Sequence, residues 1–201
     1  MSSNLLIMFV RNSISSKVKD RLAGEIGHDS ALDIYIRMIE HLQRTTFDLP
    51  FDKAVYYSDF IETSDIFDSA HYDKYLQSGE NRGERMHNAF SHAFAAGYKR
   101  VVMVCSDCFE IGRSEIIDAF EALRDTDTVL GPSTDGNYYL IGMRKFLPLL
   151  FVNKVWDGEN VFLDTILDLK NHQISFRLLD TLQDLEAFEK VKRSGRFPKK
   201  N

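Results

Sequence analysis

Cysteine is scarce in this chain: there are two among 201 residues, Cys105 and Cys108. Two thiols cannot staple a domain of this size, which excludes a disulfide-built scaffold and agrees with a reducing compartment. Proline is also rare, with four residues. No Pro/Gly/Ser-rich linker interrupts the chain, so one domain over residues 1–201 is expected. Long apolar runs are missing as well. The N-terminal run from Leu5 to Val10 has no basic segment before it and no small-residue cleavage site after it, and reads as a strand. No stretch approaches the roughly 18 apolar residues that cross a bilayer, so a cytoplasmic protein without a membrane span is expected. Nor is there an excess of positive charge. A formal net charge of −5 repels DNA and RNA at long range, whereas a small anionic ligand needs only a local patch. The chain contains no G-x-S-x-G, Walker loop or G-x-G-x-x-G, which argues against an α/β-hydrolase, a P-loop NTPase and a simple dinucleotide-binding enzyme.

What is present is an ordinary globular composition, 44% hydrophobic and 27% charged, arranged in alternating periods. After the strand at 5–10 comes a polar loop and then a helix. Leu32, Tyr35, Ile36, Ile39 and Leu42 recur at helical spacing over 29–44. Ala54 to Tyr57 marks a second strand, and 62–71 reads as loop. Met86, Ala89, Phe90, Ala93 and Phe94 form a helical stripe that Gly97 ends. Val101 to Val104 is a strand, Ile116 to Leu123 a helix, and 128–131 and 138–143 are strands. A helix over 161–169, a strand over 174–179 and a closing helix over 182–192 complete the order. Strands alternating with helices of this length predict an α/β fold with a largely parallel open sheet covered on both faces.

In such sheets ligands sit beyond the carboxyl ends of the strands, and three polar segments meet that condition. The first runs from Phe9 to Leu22 and carries Arg11, Lys17, Lys19 and Arg21 beside an expected helix start. Unpaired N–H groups, the dipole and these cations suit phosphate, although a charge run of this kind also suits a solvated surface turn. In the second, Ser106 and Asp107 follow the strand at 101–104. A carboxylate there can hold a hard cation or cap the next helix. Cys105 and Cys108 fit C-x-x-C, but the sequence around them is not that of a thiol redox centre, and buried inert thiols are the plainer reading. The third segment spans Gly131 to Gly142. Asp135-Gly136-Asn137 between apolar runs is a turn signal, while Gly131 and Gly136 allow close approach of a ligand and Asp135 offers a carboxylate to a sugar hydroxyl or a metal. The six histidines show no metal-ligand spacing. Trp156, the only tryptophan, could close over a ligand or serve in packing.

Taken in order, these segments resemble a family of bacterial GT-A-like nucleotide-diphospho-sugar transferases, an uncharacterised glycosyltransferase family. Its N-terminal loop reads approximately F-x-K-x-P-x-x-G-x-V-K-T-R-L, matched by Phe9, Val18, Lys19, Arg21 and Leu22, with Arg11 at the first Lys. Gly79 to Met86 resembles G-D-x-G-x-R-M, Ser106-Asp107-Cys108 resembles S-D-C-P, and Gly131 to Gly142 nearly reproduces G-P-x-x-D-G-G-Y-Y-L-I-G. Trp156 and Val161 represent W-S-T-x-x-V. The chain departs from the pattern at Ser13, Ser16, Asp20, Phe109, Asn137 and Asp157-Gly158, and Asp20 sets a negative charge among the cations.

The resemblance implies a three-layer α/β/α GT-A-like fold and a metal-dependent glycosyl transfer from a nucleotide-diphospho-sugar to a small-molecule acceptor. It further implies Mg²⁺ or Mn²⁺ held by Asp107, with Asp107 and Asp135 as the catalytic pair. Arg11, Lys19, Arg21 and Ser106 would bind the nucleotide and its phosphates, and Gly131, Gly136, Asn137 and Trp156 the rest of the substrate. Two alternatives stand beside it. One is a nucleotidyltransferase acting on an NTP and a phosphorylated acceptor; the other, supported by Ser13, Ser16 and Asp20, is a degenerate nucleotide-binding protein without turnover.

Overall fold

The structure is a computed structural model that describes residues 3–13, 23–24, 27–156 and 158–183. Strand β1 (Asn4–Val10) opens the chain, followed by helix α1 (His28–Thr46) and strands β2 (Asp52–Tyr57) and β3 (Asp73–Leu76). Helix α2 (Arg82–Ala95), β4 (Arg100–Cys105) and α3 (Arg113–Asp125) come next. Then β5 (Thr128–Pro132) and β6 (Tyr138–Met143) form a hairpin, and a 3₁₀ turn (Pro148–Phe151), α4 (Val161–Asn171) and β7 (Phe176–Leu178) follow.

All seven strands belong to one sheet in the order β3-β2-β1-β4-β6-β5-β7. Only β6 is reversed, antiparallel to both β4 and β5. Its direction follows from the turn at Ser133–Asn137, which is too short for the crossover that a parallel neighbour requires. The sheet alternates its side chains between two cores. Leu6, Met8, Val10, Val102 and Val104 face α1 and α3, where they meet Leu42, Ile116, Phe120 and Leu123. Leu5, Ile7, Val101 and Met103 face α2 and α4, meeting Met86, Phe90, Val161 and Leu169. The result is a three-layer α/β/α sandwich with a mostly parallel mixed sheet.

Strand β3 was not foreseen. It is a short edge strand, Asp-Lys-Tyr-Leu, half exposed along its length, and carries no apolar alternation that a sequence pattern would register. Leu182, expected to open a closing helix, instead bridges Ser133 in parallel pairing, with its N–H on Pro132 O at 3.1 Å. The rest of that expected helix, like the helix start expected after Ser13, lies largely outside the described residues.

Buried tyrosines give the fold a marked sensitivity to alkali. Burial pushes the phenols of Tyr35, Tyr56, Tyr57, Tyr138 and Tyr139 well above their ordinary value, and Tyr98, partly buried and hydrogen-bonded to Asp52, is pushed up to about 12. Because the folded pKa values are raised, the folded state holds more protons than the unfolded chain above the unfolded value of about 10. The stabilisation is therefore complete below that pH and declines as pH rises through it. Urea midpoints measured from pH 8 to 12 should be level at first and fall beyond about pH 10. A flat profile to pH 12 would contradict this.

Candidate active site

Connections leave the sheet in opposite directions on either side of the β1/β4 boundary, which opens a crevice beyond their carboxyl ends. The crevice is a polar cleft of about 580 Å³, within the usual size of a ligand site. Its floor is the end of β1 (Phe9, Val10, Arg11, Asn12) and the end of β4 (Cys105, Ser106, Asp107). Ser58, Asp59 and Gln77 contribute the wall after β2 and β3, and Glu80 to Arg85 the first turn of α2.

Three side chains hold the strand ends in place. The Tyr35 hydroxyl, buried on α1, accepts from the Arg11 N–H at 2.7 Å and lies 3.0 Å from Arg11 O and 3.2 Å from Ser106 Oγ. It thereby ties β1 to β4. Asn12 fastens the β1 end to the loop after β2: its Oδ1 accepts from Asp59 N at 2.9 Å and its Nδ2 donates to Phe60 O at 2.9 Å. Gln77 Nε2 donates to Val10 O and Tyr56 O, both at 2.9 Å, bridging the last residues of β1 and β2. Opposite them α2 begins at Asn81, whose side chain accepts from Glu84 N at 3.0 Å, while Glu84 Oε2 accepts from Glu80 N at 2.9 Å. This reciprocal cap fixes the positive end of the helix at the cleft.

Asp107 lines the cleft and also a second, much smaller hollow of about 20 Å³ behind it, which Asp135 and Asn137 line from the other side. The two carboxylates expected to act together thus border one space, although they are 28 positions apart in the chain. That space has room for an ion or a water and is too small for a sugar ring. Asp135 is held by its own turn: Ser133 Oγ donates to it, Asn137 N donates at 3.1 Å and Asn137 Nδ2 at 2.8 Å. This leaves Asn137 Oδ1 buried beside the hollow with no hydrogen-bond partner among the described residues.

The other expected residues divide. Arg11 is exposed on the cleft, whereas Lys19 and Arg21 lie outside the described residues. Ser106 is buried, with its hydroxyl on Tyr35 and 3.4 Å from Asp107 Oδ1, and so braces the floor. What approaches Gly131 closely is the Tyr139 ring, 2.3 Å from where a Cβ would stand. At Gly136, with φ +86°, it is Glu159 O at 1.8 Å from the same point. Both glycines are accounted for by the chain packing on itself, and only a glycine tolerates that backbone at 136. Trp156 is 8% exposed and stacks over Phe151, but one edge reaches the cleft. Its indole also fills the place of a side chain at Gly83, where a Cβ would lie 2.0 Å from Nε1. Cys105 and Cys108 are buried thiols, the first accepting from Arg82 Nη2 at 3.4 Å and the second lying 3.6 Å from Gln183 O.

Sequence reasoning missed Arg82, Arg85, Asn12 and Gln77. The first two stand three positions apart at the start of α2, inside the Gly79–Met86 segment, and that spacing at a helix N-terminus was the available signal. Asn12 and Gln77 act through backbone groups of distant strands, which no local pattern reveals. Removing the Tyr35 hydroxyl tests the bracing directly. Tyr35→Phe strands the Arg11 N–H and should lower unfolding free energy by about 1–3 kcal/mol in chemical denaturation. Unaltered stability would show that the hydroxyl does not hold the strand ends.

Comparison with known proteins gives a consistent picture. The model of the family DUF2064, described as an uncharacterized protein conserved in bacteria, matches residues 42–158, more than half of the chain. A crystal structure from Desulfovibrio desulfuricans G20, described provisionally as a nucleotide-diphospho-sugar transferase, superposes with a TM-score of 0.88 at 27% identity, covering 99% of this chain and 90% of that one. CMP:2-keto-3-deoxy-manno-octonic acid synthetase in complex with CTP gives 0.60 at 12% identity, covering 96% and 98%. The 4-diphosphocytidyl-2C-methyl-D-erythritol synthase of Anaerococcus prevotii DSM 20548 gives 0.57 at 11%, covering 88% and 86%. The last two likenesses concern the fold alone. No curated protein matches the sequence.

Proposed function

The chain belongs to the DUF2064 family, and from that premise we propose that the protein is a transferase whose donor is a nucleotide-diphospho-sugar. The observation that carries the reading is the meeting of Asp107 and Asp135 at one small hollow that opens on a nucleotide-sized cleft. The 27% identical neighbour over 99% of the chain supports the same substrate class. In this reading the diphosphate lies along the cleft floor, with Arg11 and Arg85 as cationic contacts and Lys19 and Arg21 completing the N-terminal loop. Trp156 offers an aromatic edge to the substrate, and Gly136 and Gly131 set the turn that carries Asp135 and Asn137.

Divalent metal binding belongs to this proposal. Asp107, Asp135 and the unpartnered Asn137 Oδ1 are hard oxygen donors around a space of about 20 Å³, which suits Mg²⁺ or Mn²⁺. Among the described residues no three or more His, Cys, Asp or Glu side chains cluster as a metal site, so a bound ion would take further ligands from water and phosphate. Such an ion would supply positive charge to the departing nucleotide diphosphate. In the transfer itself an acceptor hydroxyl forms a bond to the anomeric carbon. The carbon–oxygen bond to the diphosphate breaks, the electron pair leaves with the nucleotide diphosphate, and the hydroxyl proton passes to a base or water. The chain's own contribution is to fix the donor between α2 and the strand ends and to neutralise its charge.

The nucleotide-binding fold shared with the two cytidylyl-transferring neighbours favours a second reading, attack on the α-phosphate of an NTP with release of pyrophosphate. The products separate the two: ³¹P spectra would show a nucleoside diphosphate in the first case and pyrophosphate in the second.

The single tryptophan lies at the cleft edge and provides the binding assay. Titrating nucleotide-diphospho-sugars and NTPs with Mn²⁺ should alter Trp156 fluorescence for at least one of them. Asp107→Asn should weaken that binding by about tenfold or more, about 1.4 kcal/mol, while leaving the affinity in chelator unchanged. Equal affinity of wild type and variant in Mn²⁺ would remove Asp107 from the site.

A further inference from the structure

Arg82 is the first residue of α2 and stands where the large cleft and the small hollow join, lining both together with Cys105 and Asp107. Its guanidinium is set into protein. Among the described residues it makes one hydrogen bond, from Nη2 to the Cys105 thiol at 3.4 Å, a weak acceptor that satisfies little of a five-donor fork. No carboxylate among the described residues lies within ion-pair distance of it. Burial works against the charge, but Cys105, Tyr138 and Asp107 around it favour the charged form, and the guanidinium stays protonated. Two other buried cationic heads are ion-paired, Lys74 with Asp65 at 2.7 Å and Lys154 with Asp168, while Lys53 and Arg85 donate to backbone carbonyls.

Among the described residues the half-buried Arg82 has Asp107 near it but no ion pair and only the weak thiol acceptor, which leaves most of its donors available to a ligand at this junction. The surroundings narrow the ligand's chemistry. The guanidinium fork matches the paired oxygens of a phosphoryl group, and the N-terminus of α2 adds its positive end at the same point. The hollow beyond it, about 20 Å³, admits single atoms or ions, so the group at the junction is compact. We propose that Arg82 is the fixed cation of an oxyanion site at this junction, taking a phosphoryl group of a pyrophosphate-containing ligand, its charge being permanent and independent of any metal.

This rests on the donor reading above for the identity of the ligand, but the site is defined by the anion and can be tested with inorganic pyrophosphate alone. Pyrophosphate titrated into the full chain in EDTA, followed by Trp156 fluorescence and calorimetry, should bind wild type. It should bind Arg82→Met about tenfold or more weakly, whereas Arg82→Lys, which keeps the charge but loses the fork, should lose a smaller factor. Pyrophosphate should raise the melting temperature of wild type and have little effect on that of Arg82→Met, an outcome a purely structural arginine would not give. Absent pyrophosphate binding in wild type, equal affinity in a folded Arg82→Met protein, or an equal pyrophosphate-induced rise in melting temperature in the two proteins would overturn the proposal. If Arg82→Met does not fold, phenylglyoxal labelling of the wild type read by mass spectrometry decides: pyrophosphate should protect Arg82, and unprotected labelling overturns it. The two readings fail separately. Arg82-dependent pyrophosphate binding without any nucleotide-sugar binding would sink the donor, and nucleotide-sugar binding undiminished in Arg82→Met would sink this site.

Discussion

Everything proposed for this protein depends on the Tyr35 hydroxyl standing between the ends of β1 and β4. The connections diverge at that boundary, and beyond the backbone pairing that ends with Ser106 N on Phe9 O at 3.3 Å it is this hydroxyl that continues the link between the two strand ends. Tyr35 meets both backbone groups of Arg11 and the Ser106 hydroxyl, so one buried phenol sets the width of the cleft floor and the direction in which Arg11 and Asp107 leave it. The phenol remains neutral under ordinary conditions because burial holds it so, and only the neutral form can both donate and accept.

From that floor the site divides by charge. Cations stand toward α2, where Arg82 and Arg85 occupy the first turn, and on the β1 end at Arg11. Carboxylates border the small hollow, which Asp107 and Asp135 both line, and Asp59 and Glu80 add two more along the wall of the cleft. A ligand that bears phosphate and carries or recruits a divalent ion satisfies both halves, and an uncharged sugar alone satisfies neither. The hollow's size also refines the role of Asp135. The sequence suggested a carboxylate for a sugar hydroxyl or for a metal, and the room available suits the second.

Much of the fold was readable because its signals are periodic. The five-residue apolar register of β4, the stripe from Met86 to Ala93 and the Asp-Gly turn between β5 and β6 are local and repeat at the period of their element. Strand β3 escaped because an exposed edge strand has no buried face to impose alternation, and Leu182 misled because its pairing partner, Ser133, is remote in sequence. The candidate site followed the same rule. Asp107 and Asp135 could be named since each sits just after a strand, whereas Asn12, Gln77 and Tyr35 act on backbone groups brought near only by the sheet. Gly131 and Gly136 looked like openings for a ligand. Their neighbours, the Tyr139 ring and the backbone of Glu159, come from parts of the chain whose approach no linear pattern encodes.

The most direct measurement is anomalous diffraction from crystals soaked with Mn²⁺ and a nucleotide-diphospho-sugar. The account predicts a manganese peak bounded by the carboxylates of Asp107 and Asp135, with diphosphate density running from it along the cleft floor past Arg82 toward Arg11. A peak elsewhere on the molecule, or nucleotide density away from the ends of β1 and β4, would contradict it.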